Sequence, residues 1–222
     1  MLLRWALSLF SISSAQDVAV INLVRHAEKC PGSGHELTAI GKARAAYLAR
    51  CMSRESRSRL MPLGKARAVM ASRVRPGQST RPRDTAKPLA NALGLKLQMP
   101  CDKVDASCFA EHAKTLLFAE STLVVFWQHE DLPLLVEALQ IPSLEQHFKR
   151  WPKICPSIFP EPACLRGSMC YDEVWQVDMK RADSKSTWQA TSIRSLHQGF
   201  PGPSKLGCHG DLTTTTLQWI VA

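Results

Sequence analysis

Residues 17–24, DVAVINLV, form a compact apolar, β-branched run, and Arg25 and His26 follow it at once. A run this short, bounded by polar residues, predicts a central strand buried on both faces. A second run, residues 121–127, STLVVFW, ends in the same way, on Gln128-His129-Glu130-Asp131. Two buried strands that each deliver a histidine at their carboxyl end constrain both the fold and the place where chemistry can occur.

The segments between them read as alternating elements. Thr38 can cap a helix whose body is residues 39–50. Residues 68–71, AVMA, predict a short strand. Residues 73–82 contain Pro76, Gly77 and Pro82 and predict a loop. Residues 84–93 predict a helix closed by Gly94. Further helices are expected over residues 109–120 and 133–139, and a fourth strand over 171–179. Residues 142–170 hold five prolines and predict a long loop. After Gln189 the pattern weakens. Strand and helix in alternation predict an α/β fold: a three-layer sandwich, a mostly parallel central sheet with helices on both faces.

With 222 residues, one domain is expected over residues 16–205, followed by a tail at 206–222. Residues 1–15 carry Arg4, a short apolar stretch and small residues at Ser13 and Ala15, the pattern of a signal peptide. That pattern predicts secretion or an endomembrane lumen; if it is no signal, a cytoplasmic chain is expected. No apolar run approaches the roughly 20 residues of a membrane span. Eight cysteines, an even number, allow disulfides in an exported chain, with buried free thiols as the alternative. The absence of a C-x2-C pair argues against a zinc ribbon.

The net charge of +9 is localised. Residues 42–96 carry fourteen Lys/Arg against two acids, Glu55 and Asp84, while the remainder is slightly acidic. A basic segment on a near-neutral body predicts an anionic ligand. Trp127, Trp151 and Trp175 could form a base-stacking platform, but no aromatic-basic RNA-binding motif accompanies them, so core positions are expected and nucleic acid is not.

In a parallel α/β sheet the carboxyl ends of the strands share one edge, where ligands bind. His26 and His129 should meet there, together with the basic loop before residue 84. Histidines, arginines and a helix N-terminus suit phosphate: arginine donates bidentate hydrogen bonds to its oxygens, and imidazole can attack phosphorus.

At this point Val24-Arg25-His26-Ala27-Glu28-Lys29, with Leu37-Thr38-x-x-Gly41 after it, resembles the opening of the histidine phosphatase superfamily, the phosphoglycerate mutase-like fold. Arg81-Pro82-Arg83-Asp84-Thr85-Ala86 is similar to the R-x-x-[Q/H/D]-T-A block of that family, and His129 to its second catalytic histidine. The resemblance covers about residues 17–200. It implies a metal-independent phosphatase, without cofactor, acting on a small phosphorylated substrate. His26 would be the nucleophile and become N-phosphorylated. Arg25 and Arg81 would bind the phosphoryl oxygens, His129 would stabilise developing charge, and Lys29 would add charge at the rim.

One departure bears on the proton donor. Gln128-His129-Glu130 stands where many members have Gly-His-Ser. Glu130, Glu111 and Asp131 are the candidate acids, with Glu130 in the position that the acid-phosphatase branch fills with Asp. Glu28 is expected to pair with a cation. A phosphomutase, or a non-catalytic phosphate- or phosphopeptide-binding module, are the alternative functions. Substrate identity and oligomeric state are not encoded in any motif.

Overall fold

The computed structural model describes residues 16–29, 34–153 and 170–200. Residues 1–15, expected as a signal peptide, the expected tail 206–222, most of the 142–170 loop, and Cys30, Cys155, Cys164 and Cys208 lie outside the described residues. In chain order the elements are β1 (Asp17–Arg25), α1 (Ala39–Met52), β2 (Ala68–Ala71), α2 (Arg81–Leu93), α3 (Ala106–Leu116), β3 (Ser121–Trp127), α4 (Leu132–Ala138), β4 (Glu173–Arg181) and β5 (Gln189–His197).

The strands form one sheet in the order β2-β3-β1-β4-β5. β1 and β2 both pair with β3 in parallel, and Arg25 lies opposite Trp127. The expectation of a mostly parallel sheet is not met. β1 pairs with β4, and β4 with β5, in antiparallel ladders that are the longer ones in the sheet. The reason lies in where the chain re-enters. It arrives at the carboxyl edge of β1, where Tyr171 packs against Arg25, so β4 must run back the other way. Residues 182–188 then form a connection too short for a crossover, which forces β5 antiparallel as well.

Helices cover both faces. Ile21, Leu23, Leu123, Val125, Trp127 and Trp175 pack toward Phe109 of α3 and Leu132 and Leu135 of α4. Val24, Val124, Phe126 and Val174 pack toward Leu48 and Met52 of α1 and Leu89 of α2. Trp127, Trp151 and Trp175 are all core residues. The ring centroids of Trp151 and Trp175 are 4.8 Å apart.

The helix starts set the site. The Thr38 hydroxyl accepts from the Gly41 amide at 3.1 Å, as the capping pattern predicts. Gly41 has a further purpose: a Cβ there would lie 2.6 Å from the Glu28 carbonyl oxygen. Only glycine lets α1 approach the segment after β1 so closely. α2 begins at Arg81 rather than Asp84, with Pro82 in its first turn, where a missing N–H costs nothing. α3 begins at Ala106, because Asp105 caps it by accepting from the Cys108 amide at 3.0 Å.

Cys101 and Cys108 form a disulfide, and Cys51 and Cys170 are also disulfide-bonded. The free-thiol alternative therefore fails for the four described cysteines. Cys101, Cys108 and His112 are clustered, but the disulfide occupies both sulfurs. Among the described residues no helix is long and apolar enough to cross a membrane.

Candidate active site

The segment after β1 is held in place by neighbours distant in sequence. The His26 amide donates to the Trp127 carbonyl at 2.9 Å, carrying the β1–β3 pairing one residue past the strand. The next amide, of Ala27, donates to the Thr85 hydroxyl at 2.9 Å, and that hydroxyl donates to the Arg81 carbonyl at 2.8 Å. Thr85 thus joins the first turn of α2 to the backbone beside His26. The Lys29 amide donates to the Tyr171 hydroxyl at 3.2 Å. Glu28 is buried and pairs with Arg44 of α1 at 2.7 Å, as its expected cation pairing requires. Arg44 in turn reaches Asp172 at 3.2 Å and the Gln198 side chain at 2.9 Å.

His26 Nδ1 lies 2.7 Å from the Ala27 carbonyl oxygen. A carbonyl can only accept, so Nδ1 carries the proton, and Nε2 keeps its lone pair. Burial drives the His26 pKa well below the usual histidine value. Arg25 lowers it further, Arg81 and His129 add to this, and the Ala27 hydrogen bond opposes it. The ring is therefore neutral at neutral pH. His129 is held down to about 4, by burial first, then by Arg25 and Lys29, against the opposing charge of Glu130. Its Nδ1 lies 3.1 Å from Glu130 Oε2.

His26, Lys29, Arg81 and Glu130 line one pocket of about 440 Å3, together with Lys103, Gln128 and the turn at residues 77–79. Arg81 fixes the rim by donating to the Glu36 carbonyl at 3.1 Å, the Ser79 hydroxyl at 3.3 Å and the Gly34 carbonyl. Arg25 and His129 are not lining residues of this pocket, but both lower the His26 pKa. The Arg25 guanidinium lies 3.6 Å over the Tyr171 ring and donates to the Cys170 carbonyl at 3.2 Å. Burial pushes its pKa down to about 10, so it stays charged at neutral pH.

The three candidate acids separate. Glu130 is in the pocket wall with its side chain 62% exposed. Glu111 is exposed in the middle of α3 and is not a pocket residue. Asp131 is buried at the start of α4, and burial raises its pKa. Among the described residues its Oδ2 has no hydrogen-bond partner.

Three contributors are not among the site residues expected from the sequence. Arg44 lies in a basic helix that predicts solvent exposure. Tyr171 falls within a predicted strand. Lys103 is in a turn and reaches the pocket because its carbonyl accepts from Trp127 Nε1 at 2.8 Å.

No protein-family model matches the chain, and no curated protein matches it in sequence. Its backbone is similar to those of several solved structures. Mycobacterial hydrolase 1 is 13% identical, with 78% of this chain and 97% of that one covered at a TM-score of 0.47. A mycobacterial glucosyl-3-phosphoglycerate phosphatase is 13% identical, with 79% and 97% covered at 0.44. A phosphoglycerate mutase from Plasmodium falciparum is 14% identical, with 79% and 90% covered at 0.43.

Proposed function

We propose that this protein is a phosphatase of the histidine phosphatase superfamily, hydrolysing a phosphomonoester through a phosphohistidine on His26. The observation that carries the reading is the His26 ring: its Nδ1 proton is committed to the Ala27 carbonyl, and its pKa is depressed, inside a pocket walled by Arg81, Lys29 and Lys103. A neutral imidazole with a free Nε2 is a nucleophile, and the cations favour the dianion it attacks.

In this reading Nε2 attacks phosphorus, the N–P bond forms, and the ester P–O bond breaks. The leaving oxygen takes a proton from Glu130. A water molecule then gives a proton to the Glu130 carboxylate while its oxygen attacks phosphorus. The N–P bond breaks, and inorganic phosphate leaves. Arg25, Arg81 and His129 stabilise charge on the phosphoryl oxygens, as phosphoryl transfer demands of its surroundings. Every electron pair is accounted for without a metal. The exposure of Glu130 to water favours hydrolysis over a mutase, which must keep water from the intermediate.

The disulfides at Cys51, Cys101, Cys108 and Cys170 support residence in an oxidising compartment, consistent with the signal-peptide pattern.

The test is hydrolysis of p-nitrophenyl phosphate with EDTA present, by wild type and His26→Ala, with alkaline-quench trapping of a phosphorylated protein. Turnover and a base-stable, acid-labile phosphoprotein in wild type, both absent in the variant, are expected. Phosphate binding without turnover would instead indicate a binding module.

A further inference from the structure

The pocket holds more positive charge than one phosphoryl group uses. In the phosphatase reading Arg25 and Arg81 supply the cations for the phosphoryl oxygens, since His26 and His129 are neutral at neutral pH. Lys29 and Lys103 remain. Among the described residues neither forms an ion pair, whereas Arg44, Lys65, Arg75, Arg83 and Arg181 each sit against a carboxylate.

Lys103 is the more informative of the two, because its loop is fixed from every side. The Cys101–Cys108 disulfide closes it. The Arg73 amide donates to the Cys101 carbonyl at 2.8 Å, and Arg75 pairs with Asp102. The Trp127 indole holds the Lys103 carbonyl, tying this loop to the strand that carries His129. Asp105 caps the helix that follows. Cys101, Asp102 and Asp105 around Lys103 are thus engaged in holding the turn, while the lysine itself is exposed and lines the pocket shared with His26. Its charge forms no ion pair among the described residues and acts only at a distance, on buried Asp131. The acids nearest in effect are Glu130, in the same pocket wall and beside His129, and Asp131, which is buried. Neither is within ion-pair distance of Lys103.

Resting on the phosphatase reading above, we propose that Lys103 selects substrate: the natural ester is a small molecule with a second anionic group, a carboxylate or a second phosphate, which Lys103 holds while His26 attacks the first. A pocket of about 440 Å3 matches a small ligand. A rigid loop presents the ammonium with little ordering cost on binding.

The experiment compares kcat/KM for 2-phosphoglycolate, propane-1,3-diyl bisphosphate, ethyl phosphate and phosphoethanolamine, with wild type, Lys103→Gln and Lys103→Arg. Wild type should prefer the first two, and whichever is faster identifies the second group as carboxylate or phosphate. The preference over ethyl phosphate should fall about tenfold in Lys103→Gln, the loss typical of one charged hydrogen bond, and persist in Lys103→Arg. Equal rates on all four esters in wild type, or a preference unchanged in Lys103→Gln, would overturn the proposal. Failure of the phosphatase reading looks different: no ester turns over. Calorimetric affinities for phosphoglycolate and ethyl phosphate then decide, and a wild-type preference lost in Lys103→Gln still supports the role of Lys103, while equal affinities sink it.

Discussion

The hydroxyl of Thr85 accepts the backbone N–H of Ala27 at 2.9 Å, so the residue next to His26 is anchored to the first turn of α2. Thr85 is fully buried. Thr85→Val keeps the shape and removes the acceptor, leaving the Ala27 amide buried without a partner. A loss of about 1–3 kcal/mol in urea unfolding is expected, with a fall in kcat on p-nitrophenyl phosphate. Unchanged stability and turnover would show that the anchor is dispensable.

Arg44 joins Glu28, at 2.7 Å, to Asp172, at 3.2 Å, across the interior. Arg44→Met deprives two buried carboxylates of a shared cation. Breaking a buried pair on one side costs about 3–5 kcal/mol. The drop should shrink when Glu28→Gln is combined with Arg44→Met, and a double-mutant cycle by chemical denaturation measures the coupling. Additive losses would place the two side chains in separate environments.

Glu130 should matter in proportion to the leaving group. Proton donation contributes about 10²- to 10⁴-fold where the departing oxygen is basic. Glu130→Gln is therefore expected to slow alkyl phosphates within that range and p-nitrophenyl phosphate much less. Equal slowing of both would move the acid elsewhere, with buried Asp131 the next variant to make.

The histidine shifts set a pH dependence of stability. His26 and His129 are both depressed in the folded state, so between their folded and unfolded values the unfolded chain binds more protons. Stability must then fall as pH drops below about 6.5, at up to about 1.4 kcal/mol per unit for each histidine. For His129 the fall continues to about 4. Asp131, Asp172 and Glu173, raised by burial, oppose it at the acid end. His129→Asn should flatten the slope between pH 6.5 and 4 in thermal melts. An unchanged slope would mean that His129 titrates normally in the folded protein.

β2 and β3 are legible to the residue because their apolar runs are short and sharply bounded. The direction of β4 is not, since alternation reads the same whichever way a strand runs. Its sense follows from the re-entry of the chain beside Arg25. β5 is invisible because only Ala190 and Leu196 of its nine residues are buried. In the site, the strand ends betray His26 and His129, and the spacing to Thr85-Ala86 betrays Arg81. Lys103 has no such context: a disulfide and an indole hydrogen bond bring it in, and neither can be read from local pattern.

The sheet order also dictates when the pocket can exist. β1 is the middle strand, yet its partners on either side, β3 and β4, come roughly a hundred and a hundred and fifty residues later. During synthesis the His26 segment therefore waits for β3 on one flank and longer still for β4 on the other, until nearly the whole domain has emerged. A chain truncated at residue 170 would lack Tyr171 against Arg25 and Asp172 against Arg44. The pocket beside His26 cannot be assigned to one half of the chain; it is completed late, by segments from both ends of the domain.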